Sequence, residues 1–321
     1  MNWQHRSNMI TRRRSLLTII LGGAASISDR SAAAEDWRKT WPEIAFAVVP
    51  AENEAGVVDR WNPFVSHLSQ ALGVPVKLRL GNDYAAVIEG QRSGNIQLGY
   101  YGAASFARAL ITGVRTEAFA LNVNKKSGRG YYSVFYVLAS SPYRRIEDLK
   151  GKNIGLVDVN STSGYQVPLF TLHGMGIDPD TFFARSLITG SHENDIFALV
   201  SGTVDVTADS WNSESFSNLT RMLTKNMLKH PDGTSMTQAD FRIILTSPQI
   251  INGPYTYVAS LPAAMKADIR AAFFAAPQQV PEAFDRLSDG QNLPWEPTDN
   301  AAYDGIVELI RFVDALHRTK G

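Results

Sequence analysis

The sequence predicts an α/β protein of two lobes joined by two extended hinge strands. Three features carry this expectation. A β-α-β-α-β order of apolar runs begins at residue 44, a second such order begins at residue 153, and two β-forming segments lie where the chain would pass between them. Strand alternating with helix is the pattern of a mostly parallel sheet covered by helices.

In the first series, Ile44 to Val49 is an apolar run suited to a buried strand. Trp61, Phe64, Val65, Leu68 and Leu72 then recur at helical spacing, with Gly73 and Pro75 ending the helix. Val76 to Leu80 alternates as a strand, Tyr84 to Arg92 reads as a helix, and Gly94 punctuates the chain before a strand at Ile96 to Gly99. The second series places strands at Ile154 to Val157, Ser186 to Ile188 and Val204 to Val206, with helices at Gly164 to Leu172 and His192 to Ser201. A shift of 108 residues lays Ser93-Gly94 on Ser201-Gly202, Ile88 on Ile196, Tyr84 on His192 and Tyr101 on Asp209. This reads as an internal duplication.

Tyr131 to Leu138 and Tyr255 to Ala259 are rich in aromatic and β-branched residues and read as strands leaving each lobe. Two crossings return the C-terminal part to the first lobe. The expected layout is a first lobe of 35–133 plus 256–321 and a second lobe of 139–251, with crossings at 134–138 and 252–255. Helices are expected from Ala263, from Val280 and over Asn300 to His317, the last with an apolar stripe of Ile306, Leu309, Ile310, Val313 and Leu316.

Residues 1–34 read as an export signal. Arg6, Arg12, Arg13 and Arg14 form a positive leading region, Ser15 to Ala25 a short apolar core, and Ser31 to Ala34 a small-residue cleavage site. An apolar helix of about eleven residues spans roughly 16 Å, half of a ~30 Å hydrocarbon layer, which is short for a membrane anchor. Arg13-Arg14-Ser15-Leu16-Leu17 fits a twin-arginine signal, and the arginine run fits a Sec signal equally. The full chain of 321 residues balances 31 basic against 31 acidic residues. Cleavage after Ala34 would remove five arginines and one aspartate, leaving 26 basic and 30 acidic residues and a charge of −4. That balance argues against a nucleic-acid binder. The absence of cysteine excludes disulfides, thiolate metal sites and a cysteine nucleophile. The product is expected to be a soluble periplasmic monomer without cofactor or metal.

In open parallel sheets the ligand crevice lies beyond the carboxyl ends of the strands. There the sequence places Asp158-Val159-Asn160-Ser161-Thr162-Ser163-Gly164, followed by Tyr165-Gln166-Val167-Pro168. One helix cap accounts for one hydroxyl, not three in succession. Ser161, Thr162 and Ser163 at a helix start, with its free N–H groups and positive dipole end, make an oxyanion site. His192 follows Thr189-Gly190-Ser191 at the next strand-to-helix turn, Tyr84 holds the matching position in the first lobe, and Tyr101 and Asp209 follow the next strand of each. Asp209, an acceptor when ionised, would favour a ligand that brings a proton or an ammonium and would reject sulfate. No Arg or Lys falls in these loops. Binding is therefore expected to rest on neutral donors and helix ends.

Two α/β lobes joined by two strands resemble the type II-like periplasmic binding protein fold, in which ligand sits between hinged lobes. The segments Asp83-Tyr84, Gly99-Tyr100-Tyr101-Gly102, Asp158 to Pro168 and Gly190-Ser191-His192-Glu193, with Leu149-Lys150-Gly151-Lys152, resemble the PhnD-like phosphate/phosphite/phosphonate binding proteins of ABC importers. That resemblance implies capture of a small phosphorus oxyanion by Tyr84, Tyr101, Ser161, Thr162, Ser163 and His192, with Glu52 and Asp209 at cleft positions. It also implies an ABC permease as partner. Asn252-Gly253-Pro254 stands where aminoalkylphosphonate binders of this kind carry a carboxylate, leaving Asp209 or Glu214 to replace it. Two other readings stay open: a ligand sensor for a membrane kinase, with the same cleft, and a hydrolase using Ser161, His192 and Asp209. The hydrolase reading lacks a Gly-x-Ser-x-Gly elbow.

Overall fold

The computed structural model describes residues 36–318, so the expected export segment and its cleavage site lie outside the described residues. The chain begins with α1 (Trp37–Thr40) and β1 (Ile44–Val48), which is buried along its whole length, as its unbroken apolar run requires. α2 (Glu54–Leu72) starts at Asn53, whose side chain accepts from Gly56 N–H, and stops where Gly73 adopts a left-handed φ of 70°. β2 (Val76–Leu80), α3 (Tyr84–Arg92), β3 (Leu98–Tyr100), α4 (Ala103–Ile111) and β4 (Thr116–Asn124) complete the first pass.

The second lobe contains β5 (Gly130–Leu138), β6 (Asn153–Leu156), α5 (Val167–Gly174), α6 (Pro179–Phe182), β7 (Arg185–Ile188) and α7 (His192–Val200). β8 (Val206–Ser213), β9 (Phe216–Ser217), α8 (Asn218–Thr224), β10 (Phe241–Thr246) and β11 (Ile250–Ile251) follow. The chain then returns through β12 (Pro254–Val258), α9 (Ala263–Gln279), α10 (Pro281–Arg286), β13 (Asn292–Pro297) and α11 (Asp304–Arg318).

Among the described residues, one sheet has the strand order β13-β4-β12-β3-β1-β2 and the other β10-β5-β8-β6-β7, with β11 on β5 and β9 on β8. The duplication is visible in their centres. β2-β1-β3 and β7-β6-β8 are parallel triplets in which the first strand lies between the second and third. The Ser-Gly pairs also correspond physically: Gly94 and Gly202, with φ of 76° and 74°, follow α3 and α7. Both sheets are mixed instead of mostly parallel, because β4, β5, β10, β12 and β13 pair antiparallel. β12, returning from the second lobe, inserts between β3 and β4, and β5, leaving the first lobe, lies between β10 and β8, so each crossing strand runs against its neighbours.

The hinge expectation needs correction. Residues 134–138 lie inside β5, bonded to β8 on one side and β10 on the other, so they belong to the second lobe. The chain crosses at 125–129, where Asn124 and Gly128 close a tight turn between β4 and β5. The return crossing is the Asn252-Gly253 step between β11 and β12. Gly253 is there because a Cβ would stand 1.8 Å from the Tyr101 carbonyl oxygen.

α11 packs on both lobes. Its Asp314 takes a two-pronged bond from Arg108 of α4, at 2.6 and 2.7 Å, while Phe312 meets Phe170 of α5 edge-on at 5.5 Å and Val313 joins the second lobe's core.

Candidate ligand-binding site

A cavity of about 180 Å³ lies between the lobes. Its base is the loop after β6. Ser161, Thr162 and Ser163 are each at most 2% exposed and open a single π-helical turn, Thr162–Gln166, that runs into α5. Ser161 Oγ accepts from Gly164 N–H at 3.1 Å, and Ser133 Oγ ties the Ser163 carbonyl to β5 at 2.6 Å. Thr162 reaches across the cleft: its Oγ1 accepts the Ala104 N–H of α4 at 2.8 Å. α4 is capped by Gly102, which has no side chain to offer, and a Cβ on Gly102 would sit 2.9 Å from Thr162 Oγ1. A threonine of one lobe thus supplies the missing cap for a helix of the other.

Two tyrosines close over this loop. The Tyr84 hydroxyl is buried against Ser161, and burial raises its pKa while the Ser161 bond opposes the rise. Tyr131 pairs with Thr162 and Ser163, and its pKa is pushed up to about 12, mainly by burial. Both are therefore neutral donors near neutral pH. The His192 backbone N–H donates to the Ala51 carbonyl at 3.1 Å, its Nδ1 lies 2.5 Å from Asp209 Oδ1, and the residue borders the cavity. Asp209 also accepts from Asn218 Nδ2 at 2.9 Å. Further bonds span the lobes: Asn53 N–H and Nδ2 donate to Glu193 Oε2 at 2.8 and 2.6 Å, and Arg221 Nε donates to Asp289 at 3.1 Å. The cleft is closed.

Buried hydroxyl, phenol and imidazole groups beside a helix start suit capture of an oxyanion. The match to known proteins agrees with this geometry, since residues 46–303 fit the family described as ABC transporter, phosphonate, periplasmic substrate-binding protein. The chain belongs to this family. It is 27% identical over 258 residues to the phosphonates-binding periplasmic protein of Escherichia coli, covering 79% of this chain and 71% of that one. It is 30% identical over 198 residues to the phosphate-import protein PhnD of Mycolicibacterium smegmatis, covering 58% and 60%. The crystal structure of a binding protein component of an ABC phosphonate transporter from Pseudomonas aeruginosa superposes with a TM-score of 0.72 at 28% identity, covering 84% of this chain and 86% of that one. The two-lobed periplasmic binding protein fold is therefore established.

Within this phosphonate-binding family fold, the cavity brings together Tyr84, Ser161, Thr162, Ser163 and His192. Three other expected residues sit differently. The Tyr101 ring borders the cavity, but its hydroxyl turns into the first lobe and donates to the Val87 carbonyl at 3.2 Å. Asp209 is fully buried behind His192, because β8 runs on to Ser213 and carries Asp209 inside the strand, not past its end. Glu52 is turned away to pair with Arg60 of α2. Neither Asp209 nor Glu214 borders the cavity, so neither replaces the carboxylate missing at Asn252. Asn252 instead knits the two crossings together, donating to the Asn122 carbonyl at 2.8 Å. The expected rejection of sulfate through Asp209 consequently has no carboxylate in the cavity to act through.

Sequence reasoning missed Tyr131, taken as hinge strand, and two arginines. Arg60 and Arg221, from opposite lobes, both border the cavity. Burial first, then Arg221, lowers the Arg60 pKa, while Glu52 and Asp289 oppose the shift. Arg60 had a legible signal: it stands three residues after Val57 and four before Phe64, a cation on the apolar face of α2. Arg221, in a helix of seven residues, had none.

Proposed function

We propose that this protein captures a phosphonate, phosphite or phosphate-type oxyanion in the periplasm and presents it, with the cleft closed, to an ABC permease. The observation that carries this reading is the buried Ser161-Thr162-Ser163 loop, covered by Tyr84, Tyr131 and His192 and facing the start of α4 in the other lobe. A ligand held by groups of both lobes favours the closed arrangement, which is the differential affinity that a conformational switch requires. Residues 1–34 would direct export, and the mature chain would act without enzymatic turnover. Supporting this, Ser161 Oγ caps Gly164 and pairs with Tyr84, a structural duty that suits holding an anion better than attacking a carbonyl.

Calorimetry of the mature protein with methylphosphonate, phosphite, phosphate and sulfate tests the reading. Tight binding of one of the three phosphorus compounds is expected. None of them binding, or sulfate binding most tightly, would overturn it.

A further inference from the structure

The cavity extends beyond the hydroxyl loop: side chains of α2, β3, β9 and α8 border it as well as Ser161 to Ser163. A ligand with a tail would meet those walls, and they specify its chemistry.

Away from the hydroxyl loop, the cavity is bordered by Arg60 and Trp61 of α2, by Tyr100, and from the second lobe by Phe216 and Arg221. The Trp61 and Tyr100 rings pack 5.2 Å apart, and the Arg221 guanidinium lies 5.6 Å from the Phe216 ring. Their side chains are only 16% and 9% exposed. Arg60 meets Glu52 through Nη2 and Arg221 meets Asp289 through Nε, contacts that leave further N–H donors of each fork outside those pairs. Among the described residues, the cavity lining contains these two arginines and His192 and no Asp or Glu; Glu52 and Asp209 both lie behind it. An ammonium group would meet cations there without a carboxylate to receive it. A second anionic group would lie between arginines contributed by opposite lobes.

Building on the proposed capture of a phosphorus oxyanion, we infer that the ligand is a phosphonate or phosphate monoester whose short tail carries a second acidic group, held between Arg60 and Arg221. The oxyanion end occupies the Ser161–Ser163 loop and the tail closes the arginine pair. Each arginine already has a carboxylate partner, Glu52 or Asp289, and the tail group would bond the N–H donors those pairs leave over. Because Arg60 and Arg221 come from opposite lobes, an anion bonded to both contributes to closure as well as to recognition.

The test compares ligands of matched length by calorimetry on the mature protein: ethylphosphonate, phosphonoacetate, 3-phosphonopropionate and 2-aminoethylphosphonate. A tail carboxylate gains a charge-assisted bond, so at least one of the two carboxylates should bind about 10- to 100-fold more tightly than ethylphosphonate, with the amine no tighter than ethylphosphonate. The advantage should collapse in Arg221→Gln, read as the ratio of carboxylate to ethylphosphonate affinity in the same variant. Ethylphosphonate binding as well as both carboxylates, or the amine binding best, would overturn the inference and leave oxyanion capture standing. If no phosphonate and no phosphate binds, capture itself fails and takes the inference with it. A ratio that persists in both Arg221→Gln and Arg60→Gln would also overturn the assignment to this pair.

Discussion

Thr162→Ala isolates the contribution of a cap shared between lobes. In the closed arrangement the Ala104 N–H is buried and donates to Thr162 Oγ1 at 2.8 Å, and Gly102 provides no alternative acceptor. When the lobes separate, that N–H meets water instead. Removing the hydroxyl therefore leaves a donor unsatisfied only when the cleft is shut, at a cost of about 1–3 kcal/mol. Taken from the closed state alone, this lowers oxyanion affinity about 5- to 150-fold. Thr162→Ser keeps the acceptor and should remain near the parent affinity. Calorimetry on the three proteins gives the affinities, and a fluorescence-transfer pair with one dye on each lobe reports closure at saturating ligand. Thr162→Ala binding as tightly as the parent, or Thr162→Ser falling with it, would refute the shared cap as a determinant of closure.

Two further outcomes are expected. Gly253→Ala drives a Cβ to 1.8 Å from the Tyr101 carbonyl in a backbone crossing that cannot yield as a side chain would, and should cost about 3 kcal/mol or more, seen as a lower melting temperature and a lower denaturant midpoint. Asp195 is buried in the second lobe beside Gly155 and Thr207, and burial raises its pKa well above the usual range, with Asp209 adding to the rise. The folded protein then holds a proton that the unfolded chain releases near pH ~4, so this group's contribution is fully present below that pH and is lost as pH rises through the folded value. Asp195→Asn should abolish that loss. The parent-minus-variant stability difference, measured by denaturant unfolding from pH 4 to 8, should fall with pH, and a flat difference would contradict the assignment.

The fold was legible because its signals are local and repeated. The apolar run at Ile44, the helical stripe from Trp61 to Leu72 and the Ser-Gly pairs at 93 and 201 each impose a backbone outcome on their own. The hydroxyl loop was legible for the same reason, since three adjacent residues share one helix start. What escaped depends on contacts across the chain. Tyr131 reads as an ordinary strand residue, and its place beside Thr162 and Ser163 follows from the long-range pairing of β5 with β8 and, at Tyr131 itself, with β11. Asp209 was misplaced because the length of β8 is set by that same pairing, not by the apolar stretch at its start. Arg221 becomes a cavity residue only when the lobes meet, and no pattern within seven residues of helix encodes that meeting.

The position of α11 has a mechanical consequence. Two crossing strands alone would let the lobes swing widely, but this helix is fastened to α4 through Arg108 and Asp314 and to α5 through Phe312 and Phe170. It works as a tether on one flank of the molecule. To widen the cleft, the chain must slide one of those contacts or draw Val313 out of the second lobe's core, and freeing one fully buried aliphatic side chain costs about 1.5–3 kcal/mol. That is the scale of the gap between open and shut populations in such proteins. The last fifteen described residues, far in sequence from the anion loop, therefore set the travel of the jaw.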